Sequence, residues 1–147
     1  MSSVAQALLG QGHAVSGSDR YCDRGEELEV VDKLRQAGVD FFPQDGSGVK
    51  AGMAGVVIST AIEKDNPDVM AAERLGVPLI HRAEMLARLM EGKRSVAVTG
   101  TSGKSTVTGM IGWILDHAGA DPTVVNGAVV LNWRDGKRVG NTRCGQS

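Results

Sequence analysis

The chain has 147 residues, which allows one ordinary domain or two small ones. Hydrophobic residues at 41% and charged residues at 22% are the balance of a globular chain and argue against disorder. A net charge of −1 excludes a globally basic nucleic-acid binder, although residues 1–93 carry 14 acidic and 10 basic side chains and residues 94–147 carry 3 and 6.

In chain order, Ser3 to Leu9 reads as a short helix and Ala14 to Asp19 as a strand ending in a polar turn. Glu26 to Ala37 places Leu28, Val31 and Leu34 on one helical face and is stopped by Gly38. Val39 to Phe42 is a short strand. The run Gly55 to Thr60 is continuously apolar up to its polar end, the pattern of a parallel strand covered on both faces. Asn66-Pro67 opens a helix with proline at its first position, running to Leu75 before Gly76. Val77 to Ile80 is a brief strand and Ala83 to Met90 a helix. This alternation predicts an α/β fold, a doubly wound, Rossmann-like parallel sheet. The chain opens on a helix with no strand before it, so the expectation is a sheet lacking its first strand.

Glu91-Gly92-Lys93 interrupts the alternation, and a boundary is placed there, giving units of 1–93 and 94–147. Ser95 to Val98 reads as a new strand. Ser105 to Ala118 reads as a helix with Val107, Met110, Ile111, Ile114, Leu115 and Ala118 along one stripe facing a core. Thr123 to Val125 and Val129 to Trp133 read as strands, and Arg134-Asp135-Gly136-Lys137 as a hairpin turn.

Between the strand at 95–98 and the following helix lies Thr99-Gly100-Thr101-Ser102-Gly103-Lys104-Ser105-Thr106. Phosphate binding needs several backbone N–H groups converging on one point, which glycine permits by letting the main chain approach closely. It also needs a point charge for the β and γ phosphates, here Lys104, and a hydroxyl for Mg²⁺, here Ser105. The first turn of the helix adds the positive end of its dipole. Val98 stands where the strict Gly-x-x-x-x-Gly-Lys pattern has its first glycine. The order strand, loop, helix supports the reading of residues 94–147 as the start of a P-loop ATPase domain that binds ATP through Gly100 to Thr106.

With this loop in place the chain resembles the Mur ligases, ATP-dependent amide-forming enzymes of peptidoglycan synthesis. The resemblance rests on Met1-Ser2-Ser3-Val4-Ala5, Ser16-Gly17-Ser18-Asp19, Ser59-Thr60-Ala61-Ile62, Asn66-Pro67-Asp68, Arg82-Ala83-Glu84-Met85-Leu86 and Thr99-Gly100-Thr101, in family order. It implies UDP-N-acetylmuramate and an amino acid, L-alanine, as substrates, or a recycled murein tripeptide in a related branch. A nucleotide-binding module without ligase chemistry stays open as an alternative. The resemblance further implies that ATP phosphorylates a carboxylate, that the acyl phosphate is attacked by an amine, that Lys104 is catalytic by neutralising charge on the transferred phosphoryl group, and that Ser105 holds Mg²⁺. It places Ser18, Asp19, Ser59, Thr60 and Ala61 near the UDP-sugar. The family usually has His where Ser102 stands and Thr where Ser105 stands. The acidic Mg²⁺ motif and third domain of the family are not in these residues, so residues 1–147 alone are not expected to ligate.

Other candidates are bland. His13 reads as a solvated turn residue, His117 as a helix C-terminal cation, and Trp113 and Trp133 as packing residues. His81 is balanced between a structural role and a substrate contact, and Asp19 between a ligand contact and turn capping. Cys22 and Cys144 lack a CxxC partner or a nearby His, which argues against a disulfide scaffold or zinc site. No apolar run approaches the ~20 residues of a membrane span, and no basic leader opens the chain. The expectation is a soluble bacterial cytoplasmic protein that neither inserts in a membrane nor binds nucleic acid.

Overall fold

The computed structural model describes residues 1–146. Helix α1 (Ser2–Gly10) leads to β1 (Ser16–Gly17), the short α2 (Arg20–Asp23), α3 (Glu29–Gln36) and β2 (Asp40–Phe41). Then follow β3 (Val56–Ile58), α4 (Pro67–Leu75), β4 (Leu79–His81) and α5 (Arg82–Met90). The remainder holds α6 (Lys104–His117), β5 (Val124–Val125), a 3₁₀ turn at Leu131–Trp133 and β6 (Thr142–Arg143).

The strands pair as three separate two-stranded sheets. β1 runs parallel to β2, and β3 parallel to β4 with Val56 opposite Leu79 and Ile58 opposite His81. The expected β–α alternation and parallel pairing are present, but the pairs do not join into one sheet among the described residues. β5 and β6 are antiparallel.

Local chemistry explains the helix ends. The Asn66 carboxamide accepts the amides of Asp68 and Val69, Pro67 occupies the first helical turn, and Gly76 closes α4 in a left-handed conformation at φ 66°. The Asp19 side chain accepts the Tyr21 amide at 2.9 Å and caps α2. The core is small and aliphatic. Val4 and Ala7 of α1, Val31 and Leu34 of α3, Ala71 and Ala72 of α4, and Ile80 of β4 are all buried.

Three expectations fail. Ser95 to Val98 forms no strand, and Val96 is 71% exposed; so short a segment makes a strand only where another strand offers its backbone groups. Val129 to Trp133 is not a strand either, since its last three residues wind into the 3₁₀ turn and β5 pairs with β6 instead. The apolar stripe of α6 faces outward, with Met110 60% and Ile114 65% exposed. The packed face is the opposite one, where Gly109 and Gly112 are buried. Glycine is required there by close approach, because a Cβ on Gly112 would stand 2.7 Å from Trp133 Cη2 and 2.8 Å from a Val124 methyl.

The segment after α6 also packs on α1. Asn141 donates to the Ser2 hydroxyl at 2.8 Å and accepts from the Gln6 amide at 2.9 Å, while the Thr142 hydroxyl donates to the Ser3 carbonyl. Arg134 donates to both carboxylate oxygens of Glu29 at 2.9 Å, and Lys33 pairs with the same carboxylate. The Lys33 and Arg134 hydrogen bonds hold the Glu29 carboxyl down at about 2.

Candidate functional site

The loop from Gly100 to Gly103 leads straight into α6. Gly100 adopts φ 145° and Gly103 φ 77°, conformations that side chains disfavour. Gly103 is the N-cap and supplies no side-chain acceptor, so the first-turn amides of α6 remain available to an anion. Thr101, Ser102 and Thr106 are exposed and Ser105 is half-buried. The Lys104 ammonium folds over the loop, donating to the Gly100 carbonyl at 2.6 Å and the Thr101 carbonyl at 3.2 Å. A cation, a set of free amides and a hydroxyl therefore occupy one turn of chain, the donor set that a polyphosphate requires.

Two residues behind the loop were not singled out from sequence. Asn126 is 3% exposed and donates from Nδ2 to the Ser105 carbonyl at 3.0 Å, fixing the first turn of α6 to the end of β5. Beside it, a Cβ on Gly127 would come within 3.3 Å of the Ser105 hydroxyl, so glycine leaves that hydroxyl uncrowded. Among the described residues no cluster of three or more His, Cys, Asp or Glu could hold a metal ion. The oxygen donors that the loop's side chains offer are the hydroxyls of Thr101, Ser102, Ser105 and Thr106, a set that suits Mg²⁺ only where phosphate oxygens and water supply the other positions.

The candidate sugar-nucleotide residues lie elsewhere. Ser18 follows β1, and its hydroxyl donates to the Asp68 carboxylate in the first turn of α4. The other Asp68 oxygen accepts the Gly46 amide at 2.9 Å. The Gln44 side-chain amide donates to the Ser18 hydroxyl at 3.4 Å, and its backbone amide donates to the Asp23 carboxylate at 2.8 Å. Asp68 therefore ties the segments that follow β1 and β2 to the first turn of α4. Its signal was the Asn66-Pro67-Asp68 motif, since an N-terminal-turn carboxylate also has the means to accept from neighbouring loops. Ser59 is half-buried while Thr60 and Ala61 are exposed, on the turn that follows β3. Among the described residues no hydrogen bond joins this group to the Gly100–Thr106 loop.

His81 caps α5, accepting the Ala83 amide on Nδ1 at 3.3 Å, the structural alternative for that residue. Trp133 is buried and donates to Asp116 at 3.1 Å, while Trp113 lies against the His117 ring with centroids 3.8 Å apart. Both tryptophans are packing residues as expected. Asp116 and Asp121 both pair with Arg143, at 2.7 and 2.8 Å. Among the described residues no helix is long and apolar enough to cross a membrane.

The chain is similar to known proteins over almost its full length. Residues 1–94 match the model of the Mur ligase family, catalytic domain. A UDP-N-acetylmuramate–L-alanine ligase of Novosphingobium aromaticivorans is 42% identical over 142 residues, covering 97% of this chain and 29% of that protein. One from Carboxydothermus hydrogenoformans is 40% identical over 133 residues, covering 90% and 28%. The crystal structure of the UDP-N-acetylmuramate-alanine ligase of Thermotoga maritima superposes with a TM-score of 0.82 at 31% identity, over 99% of this chain and 32% of that one. The chain thus spans less than a third of the length of these relatives. With the family model covering well over half of its residues and the structural match extending along nearly all of it, the chain belongs to the Mur ligase family.

Proposed function

We propose that the protein supplies the nucleotide-handling part of an ATP-dependent ligase that joins L-alanine to UDP-N-acetylmuramate in the bacterial cytoplasm, during peptidoglycan synthesis. The observation that carries this reading is the Gly100–Thr106 loop closing on the free amides of α6 with Lys104 over it. The relatives named for L-alanine ligation support the choice of substrates.

In this reading residues 1–93 form a Rossmann-like unit for the UDP-sugar, with Ser18, Asp19, Ser59, Thr60 and Ala61 beside the ligand. Residues 94–147 begin the P-loop, ATP-binding unit. The amides of Gly100, Thr101, Ser102, Gly103, Ser105 and Thr106 cradle the ATP phosphates. Lys104 leaves the loop carbonyls and places its charge on the phosphoryl group being transferred to the substrate carboxylate. The Ser105 hydroxyl, left uncrowded by Gly127, would hold Mg²⁺, which would neutralise phosphate charge when bound.

Calorimetric titration tests the reading. UDP-N-acetylmuramate and Mg-ATP are each expected to bind the chain, and saturation with one is expected to leave a full binding isotherm for the other. Direct competition between them, or no binding of either, would refute it.

A further inference from the structure

Buried polar groups are few in this molecule, and most of them meet. Among the described residues six polar or charged residues are buried, and Ser3, Asn126, Asn141 and Thr142 are four of them. A buried polar group is tolerated only when it is hydrogen-bonded, and a fully paired set fixes the elements it joins in one arrangement.

The bonds run in a line. On α1 the Ser2 hydroxyl accepts from the Asn141 side chain at 2.8 Å, and the Gln6 side chain donates to Asn141 Oδ1 at 2.9 Å. The neighbouring Thr142 hydroxyl donates to the Ser3 carbonyl at 3.2 Å, so two successive residues hold the start of α1. The main-chain carbonyl of Asn141 accepts the Asn126 amide at 2.9 Å, one rung beyond the Val125–Thr142 pair of β5 and β6. Asn126 then donates from its side chain to the Ser105 carbonyl at 3.0 Å. Among the described residues this is the one side-chain hydrogen bond that reaches residues 100–106 from outside the loop, since the Lys104 bonds return to the loop's own carbonyls. Asn141 thus has its side chain on α1 and its main chain on the residue that holds the phosphate loop.

We propose that Asn141 is a positioning residue for the phosphate loop: held by Ser2 and Gln6 of α1, it fixes Asn126, which sets the first turn of α6 where the phosphates of Mg-ATP rest. This rests on the ATP-binding reading of residues 94–147 and adds to it a link with residues 1–93. The consequence is a coupling free energy. A ligand that steadies residues 1–93 tightens the loop for Mg-ATP, and by reciprocity Mg-ATP tightens that ligand by the same factor. A line of contacts alone does not establish coupling, so the test reads the coupling itself.

Mg-ATP affinity is measured by calorimetry, with and without saturating UDP-N-acetylmuramate, in the 147-residue chain and in its Asn141→Ala, Asn126→Ala and doubly altered variants. Asn141→Ala keeps the carbonyl that Asn126 uses and removes only the bonds to α1. In the unaltered chain UDP-N-acetylmuramate is expected to tighten Mg-ATP about fivefold or more. Asn141→Ala is expected to weaken Mg-ATP about fivefold, the scale of one neutral hydrogen bond, and to abolish the tightening. The double variant is expected to lose no more than Asn126→Ala alone, because both changes cut the same line. A purely structural Asn141 would lower the urea midpoint and leave the affinity and coupling of the folded protein unchanged, and that result overturns the proposal. Should Asn141→Ala fail to fold, Gln6→Leu removes one of its bonds to α1 without touching the loop and decides in its place, unchanged coupling again overturning the proposal. An unaltered chain whose Mg-ATP affinity ignores UDP-N-acetylmuramate overturns the proposal and leaves the ATP-binding reading in place. One that binds no Mg-ATP overturns both.

Discussion

Replacing Gly112 by alanine sets two effects of opposite sign against each other. In a helix interior the change removes excess backbone freedom and favours folding by about 1 kcal/mol. Here the new methyl would stand 2.7 Å from Trp133 Cη2 and 2.8 and 3.2 Å from the two Val124 methyls. None of these atoms is the loose end of a flexible chain. The Trp133 ring is buried, tethered through its indole N–H to Asp116, and flanked by Trp113 with centroids 6.3 Å apart. Overpacking a confined site costs about 1–3 kcal/mol, and so severe an overlap places it at the upper end. The balance is a net loss of about 1–2 kcal/mol. Urea unfolding followed by tryptophan fluorescence reads it directly, since both tryptophans of the chain lie at this contact. A Gly112→Ala protein as stable as its parent, or more so, would refute the packing of α6 through its glycine face. The opposite face supplies the counterpart: Ile114→Gln, on a side chain 65% exposed, is expected to change stability by no more than about 0.5 kcal/mol. A loss above about 2 kcal/mol would mean that the apolar stripe is packed after all.

Two further outcomes follow from the contacts. Glu29 has its folded pKa lowered from 4.5 to about 2 by Lys33 and Arg134, so its contribution is complete above the unfolded value and disappears as pH falls from 4.5 through 2. The Tm of the parent should exceed that of Glu29→Gln at pH 6 and converge with it near pH 2; a constant difference would contradict the ion-pair assignment. Asn126→Ala removes the buried donor to the Ser105 carbonyl and should cost about 1–3 kcal/mol in urea unfolding, with faster amide exchange in the first turn of α6. Unchanged exchange there would show that Asn126 does not fix the loop.

Sequence was most legible where a side chain acts on its own neighbours. Asn66, Pro67 and Gly76 define both ends of α4 from local chemistry alone, and α5 likewise appears where its periodicity places it. Partner-dependent features were not legible. Ser95 to Val98 has strand composition but no strand beside it, and the two-residue β6 is too short for any periodicity. Amphipathicity marked α6 as a helix, yet could not say which face packs, because the bulk of Trp133 arrives from a distant turn and selects glycine over the larger apolar residues. At the candidate site the loop itself was readable from glycine spacing and Lys104. Asn126 was not, since it acts through a carbonyl 21 residues away.

The account depends most on the anion cradle at the start of α6. Titration of Mg-ATP into the chain and into its Lys104→Ala variant, with matched circular dichroism, addresses it directly. Saturable binding by the parent and a loss of about tenfold or more in the variant are expected, because the ammonium is the one point charge the loop presents to the β and γ phosphates. Superimposable isotherms from the two proteins would contradict it.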